Sequence, residues 1–76
     1  MTEIVNFAVY RHFRNQRLYR VIGIAENNST VSPYKGPMVI YMDMETFKLF
    51  YKTPKEFCQQ VPVAGASVPR FTRIGT

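Results

Sequence analysis

The chain has 76 residues with one Cys and one His, and ten Lys or Arg against five Asp or Glu give a formal net charge of +5. This length provides one small domain, and two candidate ligands are too few for a structural zinc site, so we expect neither metal nor cofactor. No stretch approaches the roughly 18 apolar residues of a membrane span, and residues 1–3 lack the basic region of a signal peptide, which predicts a cytoplasmic domain without membrane contact.

The first segment alternates in polarity. Val5, Phe7 and Val9 fall on one face of residues 4–13, as in a half-buried strand. Residues 14–17 are polar and are predicted to form a turn, although they lack the Asn-Gly pair that favours tight hairpins.

Three more strands are predicted in the middle of the chain. Residues 18–25 are apolar and rich in β-branched side chains, which favours a buried strand. Residues 27–37 carry Asn, Ser, Pro and Gly and form a long loop, a length that is often functional. Residues 38–42 and 47–51 are predicted as strands on either side of a turn at residues 43–46.

A short helix is the best local prediction. Thr53 suits the N-cap, Pro54 suits the first helical position, and Glu56 stands where a capping box places its acidic partner. Pro62 is expected to end this helix.

The last segment completes the predicted fold. After a small-residue connection at residues 63–67, residues 68–74 form a strand in which Pro69 favours an edge position. Four strands, a helix and a final strand predict a mostly β fold. We expect a small SH3-like barrel of about five strands, with one short helix before the last strand.

Several sequence blocks resemble a known family. They are residues 10–14, residues 19–25, Tyr41, Pro54 with Phe57, and residues 68–71. In this arrangement the chain resembles an uncharacterised family of small bacterial and phage proteins, a domain of unknown function. The resemblance covers about residues 10–71 and implies an SH3-like fold. It brings no established activity, so function must be argued from the residues.

The chain departs from the family pattern at three points. Asn15 stands where the family favours Gly, and Lys52 is separated from Pro54 by Thr53. The segment before Tyr10 is strand-like, where members usually begin abruptly. That segment suggests an added edge strand or an interface and, with the small size of the domain, favours a homo-oligomer.

Four arginines in the first hairpin suggest an anion site. If residues 15–16 form a two-residue turn, Arg14 faces Arg17 and Arg11 faces Arg20. Like charges directly opposite are destabilising, so such pairs suggest a bound phosphate or carboxylate. The alternatives are arginines that splay into water or are neutralised by an acidic side chain; the candidates are Asp43, Glu26 and Glu56.

Aromatic residues supply the other candidate contacts. The same register places Tyr19 opposite His12, which either contacts ligand or makes a structural hydrogen bond. Because Trp is absent, Phe residues are expected in the core and Tyr residues at a ligand. The candidates for a stacking platform are Tyr10, Tyr19, Tyr41, Tyr51 and Phe50.

Catalytic patterns are weak in this sequence. Cys58 lacks the base and the electropositive setting of a reactive thiol, so we expect a buried structural residue. Asp43 and Glu45 are better explained by a turn than by acid–base chemistry. No phosphate-binding Gly loop or Ser nucleophile elbow is present.

These observations predict a non-enzymatic module that binds an anionic ligand through an Arg- and Tyr-rich hairpin face. The ligand is nucleic acid or a nucleotide-like small molecule. One alternative is a protein–protein module, such as a phage-type inhibitor or adaptor, and exposure of Met38, Met42 or Met44 would support it. The other is an enzyme. Arg70 either reaches the hairpin arginines or pairs with Glu56. The candidate ligand-binding residues are Arg11, His12, Arg14, Arg17, Tyr19, Arg20, Tyr41, Lys52 and Arg70.

Overall fold

A computed structural model describes residues 4–28, 30 and 33–75 and shows a mostly β protein. Its elements are β1 (Val9–His12), β2 (Leu18–Ala25), β3 (Met38–Asp43), β4 (Leu49–Lys52), α1 (Pro54–Phe57), β5 (Gln60–Val63), β6 (Ala66–Pro69) and β7 (Phe71–Gly75). An antiparallel five-stranded sheet has the order β4-β3-β2-β1-β7, and β5 and β6 form a separate hairpin. Neither sheet is closed over the described residues, so the SH3-like barrel stays a prediction.

The β1–β2 turn corrects the two-residue turn predicted at residues 15–16. The backbone N–H of His12 donates to the carbonyl of Arg17 (3.0 Å), and the N–H of Gln16 donates to the carbonyl of His12 (3.0 Å). Five residues, 13–17, therefore lie between β1 and β2. Gln16 closes the turn with a left-handed φ of 60°.

The longer turn moves the hairpin register by two residues. Arg11 pairs with Leu18, and Arg20 pairs with Val9. The predicted facing pairs of arginines are therefore wrong. A shift of two residues keeps every side chain on its original face of the sheet, because side chains alternate with a period of two.

The β3–β4 turn is organised by one carboxylate. Asp43 is buried, and its Oδ1 accepts hydrogen bonds from the N–H groups of Glu45 (2.8 Å) and Thr46 (3.2 Å). The N–H of Phe47 donates to the Asp43 carbonyl (2.8 Å). This Asx-type turn confirms the turn predicted here. It extends through Phe47, so β4 begins at Leu49 rather than at residue 47.

The first strand is shorter than its alternation predicted. Phe7 has a φ of 67° and a side chain that is 62% exposed, so the strand begins only at Val9. The carbonyl of Phe7 accepts from Nη1 of Arg20 (2.6 Å). Ile4 and Val5 pack against the core instead of adding an edge strand.

The helix starts where predicted and ends sooner. Oγ1 of Thr53 accepts the N–H of Glu56 (3.1 Å), and Pro54 occupies the first turn. The helix ends at Phe57, not at Pro62.

A hairpin replaces the connection predicted at residues 63–67. β5 and β6 pair across a two-residue turn at Ala64 and Gly65, whose φ values of 50° and 81° are those of a type I′ turn. The single strand predicted at residues 68–74 is therefore divided: Pro69 ends β6 in the separate hairpin, and β7 begins at Phe71 and lies at one edge of the large sheet.

The core lies on the face of the large sheet that α1 covers, here called the inner face. Tyr10, Tyr19 and Tyr41 are buried there, and the ring of Phe57 stacks on Phe71 with 4.3 Å between centroids. The expectation that Phe forms the core and Tyr stays outside is therefore wrong for most of these residues. In the part of the chain that the structure describes, no helix is long and apolar enough to cross a membrane.

Candidate functional site

Five of the nine predicted ligand-binding residues meet on the inner face. They are His12, Tyr19, Tyr41, Lys52 and Arg70, called the inner cluster below. The rings of Tyr19 and Tyr41 lie 5.5 Å apart, and the His12 ring lies 6.3 Å from Tyr19. The charges of Arg70 and Lys52 both act on His12. β1, β2, β3 and β4 each contribute one of these side chains.

Aromatic rings form the floor of this cluster. The ring of Phe71 lies 5.0 Å from His12, 5.8 Å from Tyr19 and 5.3 Å from Tyr41. Phe50 extends the floor, 5.8 Å from Tyr41, and its side chain is 42% exposed. The edge-to-face contacts fix the rings against each other. Tyr19, Tyr41 and Phe71 are buried, so Phe50 at the margin is the ring of this floor that is exposed to solvent.

The imidazole of His12 has one nitrogen committed to the protein. Nδ1 accepts the backbone N–H of Arg14 (3.2 Å), so the neutral ring carries its proton on Nε2. Burial lowers the pKa of His12 below 6.5, and the charges of Arg70, Lys52 and Arg14 lower it further. His12 is therefore neutral near pH 7 and offers its Nε2–H as a donor.

Arg70 is held by its own backbone and by one amide. Its N–H donates to the carbonyl of Gln59 (2.9 Å), and its carbonyl accepts the N–H of Phe13 (3.0 Å). Nη2 donates to Oε1 of Gln59 (2.8 Å), while Nε is buried and has no partner in the described part of the chain. Glu56 pairs with Lys52 (3.6 Å) and not with Arg70. The predicted Arg70–Glu56 pair is therefore not formed, and no described carboxylate neutralises Arg70.

The Tyr41 hydroxyl stays protonated. Burial is the main cause that raises the pKa of Tyr41 to about 12, and the nearby Tyr19 and Glu56 act in the same direction. Arg70 opposes them. Tyr41 is therefore a neutral residue at any physiological pH, and its ring is part of the packed floor.

The other predicted arginines are dispersed. Arg17 pairs with Asp43 (2.8 Å) and Glu45 (3.0 Å), which is the neutralisation considered as the alternative. Burial alone would raise the pKa of Asp43, but two backbone N–H groups and Arg17 lower it below its usual value. Arg20 is bound to the carbonyl of Phe7 and fixes the N-terminal segment. Arg17 interacts electrostatically with Tyr19 of the cluster, but its guanidinium is committed to the two carboxylates.

Arg11 and Arg14 line a second feature, called the hairpin groove below. Its volume is about 600 Å³, and it separates the β1–β2 turn from the β5–β6 hairpin. One wall carries Arg11, Phe13 and Arg14, and the other carries Val63, Val68 and Pro69. The sequence prediction missed the second wall because it missed the hairpin. The signal available was the Ala64-Gly65 pair between two Val-containing segments.

Comparison with known protein families identifies one that matches most of the chain. The family model described as a protein of unknown function, DUF1653, matches residues 8–73. The chain belongs to the DUF1653 family. This confirms the resemblance found in the sequence blocks, and the match includes the inner cluster and the hairpin groove. No curated protein and no solved structure matches the chain.

Outside these two features, the described part of this DUF1653 domain offers few reactive or metal-binding side chains. Burial raises the pKa of the Cys58 thiol, which keeps it in the protonated, less nucleophilic form near pH 7. The described residues hold no group of three His, Cys, Asp or Glu side chains that would bind a metal ion. The inner cluster and the hairpin groove are therefore the two candidate binding sites.

Proposed function

We propose that this protein is a non-enzymatic module that binds a phosphate-bearing ligand, a nucleic acid or a nucleotide-like small molecule, at the inner cluster. The observation that carries the proposal is the position of Arg70, whose carbonyl accepts the N–H of Phe13 next to His12 and whose charge, with that of Lys52, acts on His12 beside the aromatic floor. The open, antiparallel five-stranded sheet with α1 before its last strand also supports the SH3-like barrel as our proposal for the fold class.

The donors of the cluster suit phosphate oxygens. Arg70 carries a full charge with no described carboxylate beside it, and Arg is the residue best suited to bidentate phosphate contacts. Nε of Arg70 is buried without a partner among the described residues, and an unsatisfied buried donor costs about 1–3 kcal/mol, so the protein does not fully satisfy this guanidinium. The Nε2–H of His12 adds a neutral donor on the same side.

The floor suits the body of a nucleotide. Stacking on an aromatic side chain is tolerant of base identity and stabilises a bound base by roughly 1–3 kcal/mol. Phe50 offers an exposed ring beside Tyr19 and Tyr41. The cluster therefore combines donors for a phosphate with a surface for a base.

Pyrophosphate and a thymidine dinucleotide test this proposal by calorimetry and by amide chemical shifts. Arg70→Met is expected to weaken both ligands by roughly tenfold or more, because a hydrogen bond to a charged group contributes about 1.5–3 kcal/mol. The matched control is Arg73→Met, which removes an exposed arginine from β7, three residues after Arg70 and outside the cluster. Equal weakening in both variants, or no shifts around His12, would refute the site.

A second candidate function is a protein–protein module that uses the opposite, outer face of the large sheet. Leu49 and Tyr51 on this face are 62% and 69% exposed, and Leu18 is 38% exposed. Met42 is half-buried beside Leu49 and completes an apolar strip. Sedimentation that shows one species well above monomer mass, shifted to monomer by Leu49→Lys, would support association through this face. A monomer at high protein concentration would remove the homo-oligomer.

A further inference from the structure

The inner cluster and the hairpin groove share a boundary at the β1–β2 turn. The Phe13 ring lies 5.0 Å from the His12 ring and also lines the groove. The Arg14 guanidinium lies 5.6 Å from the centre of the Phe13 ring, lines the groove and acts electrostatically on His12. The backbone of Phe13 is bonded to Arg70. Arg11 lies opposite Leu18 on the outer face, so a chain molecule that leaves the cluster at His12 reaches the groove by passing around the β1–β2 turn.

The groove has the chemistry of a second nucleotide site. Arg11 and Arg14 are exposed and have no acidic partner among the described residues. They face a wall of Val63, Val68 and Pro69 that carries no charge. The cations on one wall suit the phosphate of a nucleotide, and the apolar groups on the other wall suit its base. A nucleic-acid strand repeats this combination of phosphate and base along its length.

We propose that the phosphate-bearing ligand is a single-stranded nucleic acid whose chain passes from the inner cluster over Phe13 and Arg14 into the hairpin groove. This inference rests on the proposed function of the inner cluster and extends it to a second, adjoining site.

The groove and its surroundings favour a single strand over a duplex. An α-helix or a two-stranded ribbon reads the major groove with polar side chains. α1 has only four residues, and the β5–β6 turn presents Ala64 and Gly65, which offer no side-chain donors or acceptors. Stacking on Phe50 or Phe13 instead needs bases that are not stacked within a duplex, and a single strand provides such bases.

Fluorescence anisotropy with labelled oligothymidines tests the inference. A thymidine dinucleotide fills the inner cluster alone, and an oligomer of about eight nucleotides, within the site sizes of small barrels, reaches the groove. We expect the oligomer to bind roughly tenfold tighter, with a steeper loss of affinity in salt. Each phosphate contact adds about −0.7 to the slope of log K against log salt for single strands.

Two variants on opposite walls isolate the groove. Arg11→Met is expected to reduce the oligomer's salt slope by about 0.7, and Val63→Glu to remove most of the gain in affinity with length. Both variants are expected to leave dinucleotide binding at the inner cluster unchanged. Both positions are exposed, so the fold is retained. Lys48→Met and Arg73→Met are the controls of equal charge change for Arg11→Met, and neither is expected to alter the length gain.

Each outcome bears on one proposal. Absence of a length gain, or a gain that survives both groove variants, overturns the second site while leaving Arg70-dependent dinucleotide binding intact. Equal affinity for a duplex of the same length, or for an oligoglutamate of the same charge, overturns the single strand. Failure of the proposed function at the inner cluster gives a different result from failure of the groove. In that case neither pyrophosphate nor the dinucleotide binds, and Arg70→Met has no effect.

Discussion

His12 combines a half-buried position with three positive neighbours. Burial, Arg70, Lys52 and Arg14 all favour the neutral ring and lower its pKa below 6.5. In the unfolded chain the imidazole takes up its proton first as the pH falls, so the unfolded state binds more protons between the two pKa values. Stability is therefore complete above the unfolded pKa and decreases as the pH falls below it.

The stability of the domain should consequently depend on pH through His12. We expect Tm to fall between about pH 7 and pH 5.5, the range in which an ordinary His titrates. In His12→Gln this fall should be largely absent. Asp43, whose pKa lies below 3.8, titrates outside this range and does not interfere. Thermal unfolding across the range provides the measurement, and an equal fall in the two proteins would contradict the assignment.

Tyr10 and Tyr19 are buried although each carries a polar hydroxyl group. The Tyr10 hydroxyl accepts the N–H of Val5 (3.1 Å), and the Tyr19 hydroxyl accepts from Nδ2 of Asn15 (3.3 Å). A ring whose hydroxyl finds a partner at the margin of the core can be buried with little cost. Phe7 and Phe47 are exposed because their left-handed φ values place them in turns. Composition alone does not distinguish these cases.

At the scale of elements, α1 is only four residues long and depends on its cap. An isolated helix of this length is unstable in water. Thr53 satisfies the N–H of Glu56, and the helix then places Phe57 on the core and Glu56 beside Lys52. The cap is therefore coupled to the position of the inner cluster.

Thr53→Ala should lower the free energy of unfolding by about 1 kcal/mol, the usual effect of losing an N-cap. Thr53→Ser keeps the accepting oxygen and is the matched control. Urea denaturation of the two variants measures the difference. If Thr53→Ser were destabilised as much as Thr53→Ala, the hydroxyl would not be the stabilising group.

For the whole molecule, stability depends on a small aromatic core. Phe57 is 2% exposed and stacks on Phe71, next to Tyr10 and Tyr41. Domains of this size have total stabilities of roughly 0.05–0.15 kcal/mol per residue. A single large cavity is therefore comparable to the whole free energy of unfolding.

Phe57→Ala should cost about 3–5 kcal/mol and leave much of the protein unfolded. Phe47→Ala is the control, because that side chain is 70% exposed and its loss should change stability by less than about 0.5 kcal/mol. Far-ultraviolet circular dichroism with urea denaturation measures both. Similar losses in the two variants would show that the ring stack is not the centre of the core.

Local sequence signals determined a substantial part of this structure. The apolar, β-branched run at residues 18–25 located β2, although Leu18, Ile22 and Ile24 are exposed and the strand is not buried on both faces as predicted. Thr53 with Pro54 located the start of α1. These features depend on neighbours in the chain, which is why a single sequence contains them.

Only the tertiary structure decided which candidate residues form a site. Arg70 comes from the far end of the chain and Lys52 from its middle, yet the charges of both act on His12, and the carbonyl of Arg70 accepts the N–H of Phe13 next to His12. The salt bridges that remove Arg17 from the site, and the β5–β6 hairpin that forms the second wall of the groove, also depend on long-range pairing. Contacts between distant segments depend on sheet order and on turn length, and residue types and local spacing do not determine either.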